Sequence, residues 1–137
     1  MSDMNDFNAT IIDEFRANAG VVGGNFEGMP VVLLTTTGAK SGLLRTNPLV
    51  GRQIDDKLYV FASKAGAPSD PDWYRNLVAN PRVHVELGAE SFDAEAVTVD
   101  RATRDEVYAA QAASYENFRQ YEEQTDRVIP VVELRRL

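Results

Sequence analysis

The chain has no cysteine and only one histidine, His84, among its 137 residues. The lack of cysteine excludes disulfides, thiolate metal sites, iron–sulfur clusters and cysteine nucleophiles. A single histidine leaves little material for a zinc site or a serine–histidine–aspartate triad, and its position in the middle of the predicted strand VHVEL favours a structural role. These two shortages argue against most metal-dependent and hydrolytic chemistry.

Long apolar runs and basic residues are scarce as well. No run approaches the ~20 apolar residues of a membrane span, and the N-terminus carries Asp where a signal peptide carries Lys or Arg, so we expect a cytoplasmic protein. Lysine plus arginine number 14 against 21 acidic residues, a net charge of −7. This balance disfavours nucleic acid, whose phosphates need cations. No pattern in the sequence fixes an oligomeric state.

The order of apolar runs predicts mainly antiparallel strands. Runs of β-branched and apolar residues between turn residues predict five or six strands, over 31–37, 45–54, 58–62, 83–87, 92–99 and 128–134. Helices are predicted over 4–18, 71–79 and 103–124, the second with Pro71 as its first residue and the last broken near Ser114. Strands without βαβ spacing favour an α+β fold with a closed or split antiparallel barrel. We expect one domain, with a helical arm over 1–19 and a barrel core over 29–137.

The first predicted helix is amphipathic. Phe7, Ile11 and Phe15 recur every four residues, which gives the helix an apolar stripe. One interpretation is a helix that covers the core. The other is a mobile arm at an active-site mouth or at a lipid surface, which would place the protein peripherally on the inner face of a membrane.

A basic segment interrupts the acidic chain. Residues 28–54 contain no Asp or Glu, while Lys40, Arg45 and Arg52 contribute three positive charges. The glycine-bounded turn that holds Lys40 and Ser41 presents backbone N–H groups, and this combination suits an anionic oxygen. The P-loop pattern is absent. The alternative is a basic hairpin that pairs with acidic surface elsewhere.

A second segment has the composition of a ligand-binding loop. The small residues of 62–67 follow a predicted strand, where a ligand would approach the backbone closely, and Trp73 comes shortly after them. The alternative is a flexible loop with a buried tryptophan.

Three blocks of sequence carry a resemblance to a known family. They are LLTTTGAKSGLLRTNPL at 33–49, FASKAGAPSDPDWYRNLVANPRVHVEL at 61–87 and QTDRVIPVVEL at 124–134. In this order they resemble the deazaflavin-dependent nitroreductase family, whose actinobacterial members use reduced coenzyme F420 as hydride donor. The resemblance implies a split β-barrel related to the barrels that bind flavin mononucleotide, with the deazaflavin in a groove against the barrel.

The resemblance also implies a set of coenzyme contacts. Lys40, Ser41 and Arg45 would hold the phosphate and oligoglutamate tail of the coenzyme, in agreement with the positive charge of their segment. The other implied contacts are Asn47, Pro48, Ala62, Ser63, Lys64, Trp73 and Asn76. Ala39 stands where many family members carry Arg or Lys, which predicts weaker binding of the tail.

Substrate contacts are implied for Tyr115, Phe118 and Tyr121, which stand where the nitroreductase has a tyrosine cluster. Phe118 lacks one of those hydroxyls, and this departure weakens the expectation of nitroimidazole reduction. Ser63, Tyr115 or Tyr121 would donate the proton that follows the hydride. A spacing of three residues also fits a core-facing helical stripe, which is the alternative interpretation.

Together these features predict an F420H2-dependent oxidoreductase that passes a hydride to a quinone, an activated alkene of the enone or coumarin type, or a nitroaromatic. Because the cofactor carries this chemistry, neither a carboxylate pair nor a histidine base is needed. Three alternatives stay open. They are a flavin-mononucleotide-dependent reductase or oxidase on the same barrel, a non-catalytic deazaflavin-binding protein, and an interaction protein that binds no cofactor.

Overall fold

The computed structural model of the chain describes residues 3–22 and 30–137, without the side chains of residues 3–8 and 65. Within these ranges the strands are β1 (Val31–Thr37), β2 (Leu44–Ile54), β3 (Lys57–Phe61), β4 (Arg82–Leu87), β5 (Glu90–Thr98) and β6 (Val131–Arg136). The helices are α1 (Asp3–Ala17), α2 (Asp72–Ala79), α3 (Arg101–Ser114) and α4 (Glu116–Gln124), with a short 3-10 turn at Lys64–Gly66.

The strands close into an antiparallel barrel in the order β1-β2-β3-β6-β5-β4. β1 closes it, because Val32 lies opposite Leu49 of β2 on one side and Leu87 of β4 on the other. The predicted antiparallel split barrel is therefore confirmed. Among the described strands, β2 pairs with β3 only from Gly51 to Ile54, so its first half, Leu44–Val50, has β1 as its one strand partner.

Both faces of β1 are buried, which explains its continuous run of β-branched and apolar residues. Val32 and Leu34 point into the barrel and belong to its interior cluster. Val31 and Leu33 point outward and pack against Phe15 of α1. α1 therefore covers the outside of the barrel at β1.

α1 uses its apolar stripe on the barrel. Ile11 is 7% exposed and Phe15 is 2% exposed, and both pack against Val31 and Leu33. These side chains face the core rather than a lipid surface, which favours the core-covering interpretation. The side chain of Phe7 lies outside the described residues. No helix in the ranges 3–22 and 30–137 is long and apolar enough to cross a membrane.

A second outer layer, α3 and α4, covers β3 and β6. Phe61 and Val131 pack under Tyr108 and Phe118, and the ring centroids of Phe61 and Phe118 are 5.5 Å apart. The Tyr108 hydroxyl donates a hydrogen bond to the Phe118 carbonyl at 2.6 Å. This bond ties the two helices together over the barrel.

Some predicted boundaries shift for local reasons, and one predicted break is confirmed. β6 begins at Val131 rather than at 128, because the carbonyl of Ile129 accepts a hydrogen bond from the buried Arg104 at 2.9 Å instead of joining the ladder. The predicted break of the long helix near Ser114 is confirmed, because α3 ends at Ser114 and the backbone of Tyr115 is extended (φ −136°, ψ 110°). Pro71 is the N-cap of α2 rather than its first residue.

His84 has the structural role that its position suggests. It lies on the outer side of β4, with its Nδ1 2.9 Å from Oδ1 of Asp93. Hydrogen bonds from His84 and Arg82 lower the pKa of Asp93. The imidazole therefore belongs to a surface pair between β4 and β5.

Alkaline pH tests the tie between α3 and α4. Burial raises the pKa of Tyr108 to about 12. Because the folded pKa lies above the unfolded value of ~10, the stabilisation by the neutral hydroxyl is complete below pH ~10 and is lost as the pH rises through the folded pKa. Denaturant titrations should show the free energy of unfolding falling more steeply above pH ~10 in the wild type than in Tyr108→Phe. Parallel profiles for the two proteins would contradict this assignment.

Candidate functional site

The two segments that stand out in the sequence meet at one end of the barrel, which we call the turn end. The β1–β2 turn, residues 38–43, closes this end beyond the Thr37–Leu44 pair. Loop 62–71 begins at the same end, because β3 runs antiparallel to β2. Asn76 of α2 joins them, since its Oδ1 accepts the Ala39 N–H at 3.0 Å. A predicted coenzyme contact thus also positions the turn.

The β1–β2 turn is held by its own hydrogen bonds. The N–H of Gly38 donates to the Leu43 carbonyl at 2.8 Å, and the N–H of Gly42 donates to the Gly38 carbonyl at 2.9 Å. Ser41 Oγ accepts the Leu43 N–H at 3.1 Å. Gly42 has φ +71°, a left-handed conformation that favours glycine. Lys40 and Ser41 remain exposed on this ordered turn.

Most arginines of the chain pair with a carboxylate, whereas the cations of the turn end have no such partner among the described residues. Nine of the eleven arginines bond a carboxylate of the described residues. The cations without such a partner there are Lys40, Arg45, Arg52, Lys57 and Lys64. Lys40, Arg45 and Lys64 lie at the turn end. In a chain of net charge −7, this concentration of uncompensated positive charge favours an anionic ligand over the alternative of a hairpin paired with acidic surface.

A gap opens between β2 and the chain that follows β3. β2 continues past its last pair with β3, Gly51 opposite Val60. The chain after Phe61 instead enters the 3-10 turn at Lys64–Gly66. The backbone groups on this edge of Leu44–Val50 therefore have no strand partner in the described part of the chain. A free strand edge of this kind can bond the polar rim of a ligand through its main chain.

Asn47 and Pro48 take opposite faces of β2. Asn47 lies opposite Leu34, whose side chain is in the barrel interior, and Pro48 lies opposite Leu33, whose side chain packs outside. Because strand side chains alternate, the side chains of Asn47 and Pro48 point to opposite sides of β2, and their contacts with a coenzyme stay predictions. A proline suits a strand with a free edge, since it has no N–H to pair.

Arg127 holds loop 62–70, although no motif in the sequence predicts this role. Its guanidinium donates to the carbonyls of Ser63 at 2.7 Å, Ala67 at 2.8 Å and Ala62 at 3.0 Å, and to the Asp70 carboxylate at 2.9 Å. Four acceptors on one planar group fix the course of the loop. Arg127 is therefore a positioning residue for the loop side of the gap.

The three loop residues predicted to contact the coenzyme differ in what they offer. Ala62 is fully buried, and its N–H donates to the Pro130 carbonyl at 3.0 Å, so it has little left for a ligand. Ser63 is half-buried and Lys64 is exposed. Lys64 has φ +46°, a left-handed conformation that is uncommon for a residue with a side chain and is concentrated at functional sites.

Trp73 lies in the barrel interior. Its side chain is 6% exposed and belongs with Leu77 of α2 to the interior cluster. This placement matches the alternative of a buried tryptophan. Its contact with a coenzyme stays a prediction.

The three aromatic residues predicted to contact substrate are separated along α4. Phe118 is 4% exposed and lies in the core under the outer helices, as the stripe interpretation expects. Tyr121 lies over the loop, where a Cβ on Gly66 would come 3.1 Å from its Cα. Tyr115 lies before the first residue of α4, beside Arg52 in a cavity of about 310 Å³. Tyr115 and Tyr121 keep exposed surface for a substrate, and Phe118 keeps little.

Comparisons with known proteins agree with this fold. The model of the F420H(2)-dependent quinone reductase family matches residues 9–135, and the chain belongs to this family. An F420H(2)-dependent quinone reductase of Mycobacterium tuberculosis is 36% identical over 126 residues, 89% of this chain and 85% of the relative. A solved F420-H2 dependent reductase has a TM-score of 0.70 and 39% identity, covering 77% of this chain and 93% of its own. A solved domain-swapped dimer has a TM-score of 0.72 and 31% identity, and the match covers 97% of this chain and 99% of the other.

Membership of this family implies coenzyme F420 as the cofactor, and the described residues fit it. The anionic tail of the coenzyme matches the uncompensated charges of Lys40, Arg45 and Lys64. The polar rim of the flat deazaflavin could form hydrogen bonds with the unpaired main-chain groups on the free edge of Leu44–Val50. Over 3–22 and 30–137 there is no group of three or more histidines, aspartates or glutamates that could hold a metal ion.

Replacing Arg127 tests whether it sets the loop. Arg127→Ala leaves three carbonyls without their donor, so it should lower the free energy of unfolding by about 3 kcal/mol and speed amide exchange over 62–70. Arg119→Ala is the control, because Arg119 is an exposed arginine paired with Glu116. Hydrogen exchange followed by mass spectrometry compares the two variants. Equal protection of the loop in both would rule out the positioning role.

Proposed function

We propose that this chain transfers a hydride from reduced coenzyme F420 to a small electrophile, and that the physiological electrophile is a quinone. The observation that carries the proposal is the placement of Lys40 and Arg45, two cations without carboxylate partners in the described chain, beside the free edge of β2. The quinone reductases among its relatives support the acceptor class.

The chain's own residues would bind and orient the reactants. Lys40, Ser41 and Arg45 would bind the anionic tail through charge-assisted hydrogen bonds. The backbone of Leu44–Val50 and loop 62–66 would bind the two sides of the deazaflavin. When bound, the coenzyme supplies the hydride, while the protein contributes orientation and the exclusion of water.

A hydride alone leaves the acceptor negatively charged, so a proton must follow it. Ser63, Tyr115 and Tyr121 carry the hydroxyls that we propose for this role. The hydroxyl of Tyr121 is oriented by a specific contact, because it accepts a hydrogen bond from Asn117 Nδ2 at 3.1 Å. That bond orients the oxygen and leaves the hydroxyl proton to donate elsewhere.

Activated alkenes and nitroaromatics are further acceptors for the same hydride chemistry. A panel of one quinone, one enone and one nitroaromatic, mixed anaerobically with reduced coenzyme and the protein, separates them through the loss of coenzyme absorbance. We expect turnover of the quinone. Tight coenzyme binding without turnover of any acceptor would instead identify a non-catalytic deazaflavin-binding protein. Preferential binding of flavin mononucleotide would identify a flavin-dependent reductase or oxidase.

Lys40→Ala tests the proposed tail site. Loss of a charge-assisted contact worth about 1.5–3 kcal/mol should weaken coenzyme binding roughly 10- to 150-fold. The difference from the wild type should shrink at high salt, because salt screens exposed charges. Lys57→Ala is the matched control, since Lys57 also has no carboxylate partner in the described chain but lies at the far end of β3. Equal coenzyme affinities for the wild type and Lys40→Ala at low salt would refute the assignment.

A further inference from the structure

A cavity of about 310 Å³ lies at the end of β2 away from the β1–β2 turn. Part of its lining is apolar, from Val32, Leu58 and Leu87, and part is polar, from Arg52, Gln111 and Tyr115. Its volume is at the lower end of the range for small-molecule sites. An apolar body with a polar group at one side would match this lining.

Two hydrogen-bond donors at the polar side have no partner in the described chain. They are Nε of Arg52 and Nε2 of Gln111, both buried. Gln111 is fully buried, although glutamine is rarely found there without satisfied hydrogen bonds. The orientation of its amide is fixed, because Nη1 of Arg52 donates to its Oε1 at 3.3 Å and an arginine has no acceptor to offer. The Nε2 donor is therefore the group left over.

The charge of Arg52 points the same way. Its guanidinium contacts only neutral groups in the described chain, Oε1 of Gln111 and the Ser114 hydroxyl at 3.0 Å. No carboxylate of the described residues pairs with this half-buried cation. A ligand oxygen that carries, or gains, negative charge would complete this arrangement.

We propose that the Arg52–Gln111 pair binds a carbonyl oxygen of the quinone substrate, with the quinone ring against the apolar part of the cavity. This inference rests on the proposed function and names its acceptor site. Addition of a hydride to a quinone turns one carbonyl oxygen into a phenolate, and a proton then completes the hydroquinone. The Arg52 guanidinium stabilises the phenolate charge, so the pair makes quinones better ligands than acceptors without a carbonyl.

Binding of an oxidised quinone without coenzyme tests the proposal. The probe is 2-methyl-1,4-naphthoquinone, and the chain has no cysteine for it to alkylate. Calorimetry compares the wild type with Arg52→Met, which keeps much of the side-chain volume without donors, and with Gln111→Glu, which puts a carboxylate where the N–H donor stood. Each variant should weaken quinone binding roughly tenfold or more.

Matched controls isolate the two donors. Lys57→Met removes another cation without a carboxylate partner in the described chain, one that does not line the cavity, and should leave quinone affinity unchanged. Binding of 2-methylnaphthalene, which has the ring system without its oxygens, should be the same in all four proteins. Thermal unfolding verifies folding, and the isosteric Gln111→Glu carries the test if Arg52→Met does not fold.

Two results would overturn the proposal. One is the absence of quinone binding by the wild type. The other is equal affinity in the wild type, Arg52→Met and Gln111→Glu, which would mean that the donors hold only water. The affinity for coenzyme F420 should be equal in all variants. If the wild type binds the quinone but transfers no hydride to it, the result would count against the proposed function and not against the quinone site.

Discussion

The short pairing between β2 and β3 is the constraint on which the rest of this structure depends. At Gly51, the first paired residue, a Cβ would lie 2.6 Å from a methyl group of Val32, so glycine there leaves room for this β1 side chain inside the barrel. Beyond Gly51 the two strands part, because Arg127 fixes the chain after Phe61 in a loop. The barrel is thereby closed for its core and open along one edge of Leu44–Val50. A flat ligand can bond that edge through the main chain without disturbing the packed interior.

The distribution of charge also differs between the open edge of the barrel and the rest of its surface. Surface ion pairs contribute little stability each, so the pairing of nine arginines matters mainly for the field around the protein. It neutralises cations elsewhere and leaves Lys40 and Arg45 to attract an anion at the turn end. The lack of acidic residues over 28–54 keeps this local potential positive in an acidic protein. Arg52 lies in the same segment but near the other end of β2, where it lines a cavity instead of an open turn.

Local patterns were enough to predict the barrel and the basic turn. β-branched runs and turn glycines specify strands over a few residues, and the missing acids around Lys40 are visible in the sequence itself. The opposed faces of Asn47 and Pro48 follow from strand alternation once the register with β1 is known. The contacts of Arg127 and Arg52 were not predictable in this way. They join residues such as Arg52 and Gln111, 59 positions apart, and only the closed barrel brings those residues together.

The most direct measurement is a titration of isotope-labelled protein with coenzyme F420, followed by amide chemical shifts in two-dimensional NMR. This account predicts that the largest shifts fall on the β1–β2 turn, on Leu44–Val50 and on loop 62–66. The β4–β5 turn around Gly88, at the other end of the barrel, should be unaffected. Shifts centred on that far turn, or no saturable shifts at all, would contradict the claim that the free edge of β2 and the uncompensated cations beside it form the coenzyme site.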